Sequence, residues 1–178
     1  LTLYGDCSAT NSVYLNGKTP RVRVYNGQQL VQNIFLSEDS TQKAEVTPVC
    51  PEDIDKTACK IPASTLPGVM RHVYTSVISL PPSANWRIIF EGTLTLEPGL
   101  PGREAGRSDN ISNVSNVGAQ LMFLEALLNN STSNNSTPIF SSDPTPFFCL
   151  NKHQQYNQAA IDTDGDSLVF TLSPALIN

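Results

Sequence analysis

The segment RVRVYNGQQLVQNIFL, residues 21–36, decides the fold class of this chain. Runs rich in Val, Ile, Leu and aromatic residues lie on both sides of Asn26-Gly27, as is typical of β-strands. Asn-Gly supplies the positive φ angles of a type I′ turn, so the segment strongly predicts a β-hairpin. A second Asn-Gly pair, Asn16-Gly17, stands ten residues earlier. We therefore expect short antiparallel strands joined by tight turns.

Two further segments extend the β pattern. One predicted strand has a shared face made of Tyr74, Ser76, Ile78 and Leu80 and ends at Pro81-Pro82. In the other, polar residues alternate with Trp86, Ile88, Phe90, Leu94 and Leu96. Trp86 is most simply a core anchor, with sugar stacking as the alternative. These segments predict an all-β protein, an antiparallel β-sandwich of the immunoglobulin-like or jelly-roll-like type.

Residues 120–128, QLMFLEALL, allow two interpretations. Leu, Met, Ala and Glu are strong helix formers, which favours a helix. The apolar residues Met122, Leu124, Ala126 and Leu128 also alternate, which favours a strand. The pattern of residues alone does not decide between them.

Composition limits the classes of function. Charged residues make up 15% of the chain, against roughly 25% in typical globular domains, and Asn, Ser and Thr replace them, as is common in secreted β proteins. The net charge is −5 and there is no basic run, which argues against nucleic acid or an anionic membrane surface as a partner. No run of some 18 apolar residues is present, so we expect no membrane insertion.

The best domain boundary is a polar Asn/Ser/Thr linker at residues 131–137. It divides the 178 residues into an N-terminal β-sandwich module, residues 1–130, and the N-terminal part of a second β domain, residues 138–178. The chain begins within a predicted strand and ends soon after another, so we interpret it as a fragment of a larger exported protein.

The four cysteines, Cys7, Cys50, Cys59 and Cys149, lack the C-x-x-C or His-flanked spacing of a zinc site. Three pairings are open. The local one, Cys50–Cys59, would contribute roughly 2–3 kcal/mol on the chain-entropy model, and Cys7–Cys149 then follows only by elimination. Oxidised cysteines place the protein in a periplasmic or extracellular space, whereas buried free thiols in the cytosol are the alternative.

The sequence DTDGD places Asp162, Asp164 and Asp166 around a glycine. Ca²⁺ binds six to eight oxygens, and aspartates on turns supply them. An EF-hand alignment fails, because Ala160 and Thr171 stand where that loop needs its first acid and its bidentate acid. Without a cation, the motif is an ordinary solvated Asp-Gly turn. Glu125, in an apolar segment before the linker, is either a further ligand at the junction or a satisfied buried acid.

Residues 134–140, NNSTPIF, resemble the linker of cadherin-like modules, in which an Asn/Asp pair precedes a Pro-x-Phe sequence. The resemblance implies that residues 137–174 form the first half of an immunoglobulin-like domain, with strands at 138–142, 155–160 and 167–172. It also implies that linker and D-x-D side chains share Ca²⁺ at the junction. Asp162 and Asp164 match that motif directly, Asn135 matches the linker, and Asp166 is a further candidate.

The whole chain resembles modules of large cell-surface proteins of Bacteroidetes, the group of gliding-motility adhesins and type IX secretion cargo. The matching pieces are LYGDC at 3–7, Cys50-Pro51 with Cys59, LPG at 66–68, HVY at 72–74, LPP at 80–82, NW at 85–86, NISN at 110–113, LEALLNN at 124–130, PIF at 138–140, PFFC at 146–149, YNQA at 156–159 and residues 162–170. Ser83-Ala84 stand where relatives often carry a cysteine, which implies that one family disulfide is missing. The resemblance favours a strand at residues 121–128.

Nothing in the sequence points to catalysis. The only histidines are His72 and His153, and no nucleophile elbow, P-loop, dinucleotide fingerprint or H-E-x-x-H motif occurs. We therefore expect a non-enzymatic structural or adhesive module of a long surface protein, without an organic cofactor. Its expected partners are neighbouring domains of the same chain, surface glycans or other cell-surface proteins. The alternative functions are a carbohydrate-binding module that uses Trp86, Tyr14 or Tyr25, and a glycosidase fragment.

Overall fold

A computed structural model describes residues 1–7, 15, 19–91, 123–132, 135–144, 150–153, 155, 157 and 159–174. The strands are β1 (Thr2–Asp6), β2 (Arg21–Asn26), β3 (Gln29–Phe35), β4 (Ser37–Glu38), β5 (Ala44–Glu45), β6 (Val69–Thr75), β7 (Trp86–Glu91), β8 (Phe123–Leu128), β9 (Ile139–Phe140) and β10 (Ala160–Ile161). A 3₁₀ helix spans Pro51–Lys56. Within the described residues, no helix has the length and apolar character needed to cross a membrane.

The protein is all-β with antiparallel sheets, as the sequence predicts. One sheet has the strand order β3-β2-β7-β8, and the other has the order β1-β6-β4, with β5 also paired to β6. The pair β9–β10 forms a separate two-stranded sheet. The division of the chain at residues 131–137 stays a prediction.

The β2–β3 hairpin is confirmed, with a different turn. Asn26 pairs with Gln29, so Gly27 and Gln28 are the two central residues. Gly27 has φ +60°, while Gln28 is not among the residues with positive φ. A glycine at the first central position fits a type II′ turn rather than the predicted type I′. The predicted Asn16-Gly17 turn lies outside the described residues.

The core lies between the two larger sheets. Val22, Val24 and Phe90 of one sheet face Leu3 and Tyr74 of the other, and all five are buried. Their burial follows from the alternation of side chains along each strand, which turns every second residue inward.

Trp86 is the core anchor that the sequence predicts. It is 2% exposed, and its indole Nε1–H donates a hydrogen bond to the Pro81 carbonyl at 3.0 Å. The predicted strand at residues 74–80 is shorter than expected, and β6 ends at Thr75. Ile78 and Leu80 still pack against the core, partly buried.

The segment with two interpretations forms a strand. β8 pairs along its whole length with β7, with Glu125 opposite Ile89. As the last strand in the sheet order, β8 pairs one backbone edge with β7, and this tertiary pairing overrides the helix propensity. Residues 121 and 122 lie outside the described residues.

The C-terminal segment forms less strand than the sequence predicts. Its two strands, Ile139–Phe140 and Ala160–Ile161, have two residues each. The predicted third strand at 167–172 is wrong, because these residues have no strand assignment, and Val169 and Leu172 are 84% and 104% exposed. An alternating segment becomes a strand only where another backbone accepts its hydrogen bonds.

The predicted Cys50–Cys59 disulfide is also wrong, and with it the Cys7–Cys149 pairing. Cys7 bonds to Cys59, across 52 residues of sequence, while Cys50 is a free, exposed thiol. Pairing of β1 with β6 brings the Cys7 N–H within 3.1 Å of the Gly68 carbonyl. A Cβ at Gly68 would lie 2.8 Å from Cys59 Sγ, so only glycine permits this approach. Cys149 lies outside the described residues.

Candidate functional site at the junction of the two β units

The DTDGD motif folds as a tight turn closed by Asp162. Its Oδ1 accepts the backbone N–H of Asp164 at 2.9 Å and that of Asp166 at 3.1 Å. Gly165 has φ +83°, a conformation that glycine adopts without steric cost. Two backbone donors therefore already compensate the Asp162 carboxylate, whether or not a cation is bound.

The linker and this turn are in contact through one hydrogen bond. Asp164 Oδ2 accepts the backbone N–H of Ser136 at 2.6 Å, which places the turn beside exposed Asn135. In the part of the chain that the structure describes, no three His, Cys, Asp or Glu side chains group as metal ligands would. A cation here would need backbone carbonyls, the Asn135 amide oxygen and water to complete its oxygens.

Glu125 has a partner within its own sheet. Its Oε1 lies 2.6 Å from Arg87 Nε, and these side chains are 21% and 30% exposed. The Arg87 guanidinium also lies over the Tyr25 ring, 5.9 Å from its centroid. Glu125 is therefore a paired acid, but it is not the buried acid that the sequence left as the alternative to a junction ligand, because the residue is exposed.

For description, we call residues 1–130 the first unit and residues 138–178 the second unit, and Asp143 makes a direct contact between them. Its Oδ1 accepts the Tyr4 hydroxyl at 2.9 Å, and Arg71 Nη1 lies 3.1 Å and 3.2 Å from its two carboxylate oxygens. Tyr4 and Arg71 are register partners on β1 and β6, so the sheet presents them together on its outer face. We call these three side chains the Asp143 latch. The sequence does not reveal this contact, since an aspartate in a loop carries no signal for a partner 72 residues away.

A cleft of about 560 Å³ between the two larger sheets and a second one beside the latch are open to solvent. The second has a volume of about 660 Å³ and lies between the outer face of β1–β6 and residues 137–144. Val73 lines it from the first unit, and Ile139 and Phe140 line it from the second. Ile139 and Phe140 remain 57% and 64% exposed. Polar contacts of the latch therefore hold a junction whose apolar side chains stay largely open to water.

His72 has a packing role rather than a place in the junction. It is 3% exposed, and its Nδ1 lies 2.6 Å from Glu38 Oε1, which ties β4 to β6. Burial raises the pKa of Glu38, but the His72 hydrogen bond and the Lys43 ammonium at 3.4 Å outweigh it, so the pKa is lowered. Burial, with the nearby Glu38 charge, raises the pKa of Tyr74 to about 12.

The aromatic residues proposed for sugar stacking differ in accessibility. Trp86 is buried and cannot offer a ring face to a sugar. Tyr25 is partly exposed, but Arg87 lies over its ring. Tyr14 lies outside the described residues.

Comparison of the chain with protein-family models, with curated proteins and with solved structures finds no match.

Proposed function

We propose that this chain is a non-enzymatic, extracellular structural or adhesion module of a large bacterial surface protein. The observation that carries the proposal is the Asp143 latch, which docks the segment after the linker onto the outer face of the first sheet. A sandwich that offers a sheet face to the next part of its own chain has the arrangement of a module in a series. Its first partner is thus the neighbouring unit of the same chain.

The disulfide supports a place outside the cytosol, where such bonds form and persist. Cys7 follows β1, so the bond to Cys59 anchors the first strand to the loop before β6. The resemblance to Bacteroidetes surface modules, including gliding-motility and type IX secretion proteins, gives the proposal its cellular setting.

A calcium ion that stiffens the junction is the second part of the proposal. Asp162 and Asp164 are its main ligands, and Asp166 and Asn135 are the further ones. The Ser136–Asp164 hydrogen bond supports it, because it holds the linker against the acidic turn. Affinity should be modest, with a dissociation constant of roughly 10⁻⁴–10⁻³ M, as in other extracellular modules.

Calorimetric titration and thermal melting of the full chain test the calcium site. We expect binding heat and a higher melting temperature with Ca²⁺, both lost in Asp162→Ala/Asp164→Ala. The matched control is Asp53→Ala, which removes an exposed acid paired with Lys56 outside the junction. Equal melting temperatures in Ca²⁺ and in chelator, without binding heat, would reduce DTDGD to a solvated turn.

A carbohydrate-binding module is the alternative function. It is favoured by the outer face of the β3-β2-β7-β8 sheet, where Tyr25 lies beside the Arg87–Glu125 pair. Glycan-array binding that is lost in Tyr25→Ala would support this alternative. Turnover of a polysaccharide would instead indicate a glycosidase and contradict the non-enzymatic proposal.

A further inference from the structure

The latch is built from contacts that salt can weaken. Arg71 and Asp143 are 32% and 34% exposed, and the third member of the latch is the Tyr4 hydroxyl. Ion pairs in such exposed positions contribute little to stability. Their attraction is also screened once the Debye length approaches the charge separation, about 3 Å at 1 M salt against about 10 Å at 0.1 M.

Apolar packing adds little at the described part of this junction. The cleft of about 660 Å³ separates Val73 of the first unit from Ile139 and Phe140 of the second. These two side chains keep more than half of their surface exposed. Hydrophobic stabilisation scales with the apolar surface removed from water, so these side chains contribute less than half of the stabilisation that full burial would give.

The chain is held to the first unit just before the linker and to the second unit near the end of the linker. Asn130 is held to the first unit: its Oδ1 accepts the Ser83 N–H at 2.7 Å, and its Nδ2–H donates to the Leu80 carbonyl at 3.3 Å. Ser136 is held to the second unit by Asp164. Each unit can therefore keep its own contacts if the latch opens.

We propose that the junction is an electrostatic joint that opens and closes as ionic strength changes. In the closed state the Asp143 carboxylate contacts both Tyr4 and Arg71. In the open state the second unit moves away, while the hydrogen bonds of Asn130 and Ser136 persist. The inference rests on the proposed role of the junction between modules. Two factors control whether the junction is open or closed, namely the charge on Asp143 and the salt concentration.

The experiment is NMR of the full chain with labelled Ile and Val methyl groups, at 50 mM and 500 mM NaCl. Val73 and Ile139 line the same cleft, so the chemical shifts of their methyl groups change when the cleft opens and report the closed-to-open ratio. Backbone relaxation reports whether the units tumble together. For the wild type, we expect the closed-to-open ratio to fall by about two- to fivefold at high salt, the range of an exposed ion pair.

Asp143→Asn should lower the ratio to a similar extent at 50 mM NaCl and respond little to added salt. Tyr4→Phe, which removes the hydroxyl that donates to Asp143 and no charge, should lower the ratio and keep the salt response. The matched control Asp53→Asn removes an exposed ion-paired acid elsewhere and should behave as the wild type. The Trp86 indole signal shows that each variant is folded.

Equal ratios for the wild type at both salt concentrations would overturn the proposal, and so would an Asp143→Asn variant that stays closed. The salt series needs no variant, so a folding defect in one of them leaves the test intact. A protein that binds no Ca²⁺ or resides in the cytosol would contradict the proposed function, but it would leave this salt response unchanged.

Discussion

Removal of the Cys7–Cys59 disulfide should lower the free energy of unfolding by more than the short Cys50–Cys59 loop predicted from sequence could contribute. The bond closes a loop across 52 residues. On the chain-entropy model, such a loop lowers the entropy of the unfolded chain enough to contribute about 4 kcal/mol at 25 °C. The Cys50–Cys59 loop expected from sequence would contribute only roughly 2–3 kcal/mol.

The assay is urea unfolding of Cys7→Ser/Cys59→Ser, followed by the fluorescence of Trp86, the only tryptophan and a buried one. With a slope of about 2 kcal/mol per M, the midpoint should fall by about 2 M. Cys50→Ser is the matched control, and its free energy of unfolding should stay within about 0.5 kcal/mol of the wild type because this thiol is exposed and unpaired.

The reasoning would be refuted if Cys50→Ser destabilised the protein as much as the double variant does. A change below about 1 kcal/mol in the double variant would equally show that the loop does not constrain the unfolded chain as this model requires. Peptide mapping without reduction gives the independent check, since it should recover the 7–59 linkage.

Three further outcomes follow from the core and the hairpin. The pKa of Glu38 is lowered below its ordinary 4.5 in the folded state, so its stabilisation is complete above that value and is lost as pH falls through the lowered pKa. The urea midpoint of the wild type should therefore drop on acidification below 4.5 more than that of Glu38→Gln. Trp86→Ala removes the fluorescent probe, so its urea unfolding is followed by circular dichroism, and it should cost about 3–5 kcal/mol. Leu127→Ala, at a residue 73% exposed, should stay within about 0.5 kcal/mol by the same measurement. Gly27→Ala should cost about 1 kcal/mol, because φ is +60° there. No atom lies within 4 Å of the new methyl group, so no steric clash adds to this backbone strain. Gly27→Asn should cost less, because Asn adopts this conformation more readily.

Features set by neighbouring residues could be predicted from sequence. Asn26-Gly27 identified the hairpin, and alternation around Trp86 identified both the strand and its inward face. The turn type was missed because the register moved the glycine to the first central position. That shift accompanies an irregularity between Val24 and Tyr25, which no local pattern shows.

Features set by distant residues could not be predicted in the same way. Sequence proximity favoured Cys50 as the partner of Cys59, but the register of β1 on β6 places Cys7 there instead. Asp143 likewise gains its role only because that register sets Tyr4 beside Arg71. In the acidic turn, Asp162 accepts two backbone N–H groups and Asp164 accepts one from the linker, whereas the cation stays a prediction.

The most direct test of the proposed extracellular role is labelling of intact cells that produce the protein. A membrane-impermeant amine reagent is applied before lysis, thiols are blocked, and the protein is mapped without reduction. We predict lysine labelling from outside together with a Cys7–Cys59 linkage. Protection of every lysine until lysis, with Cys7 and Cys59 both recovered as free thiols, would contradict the account.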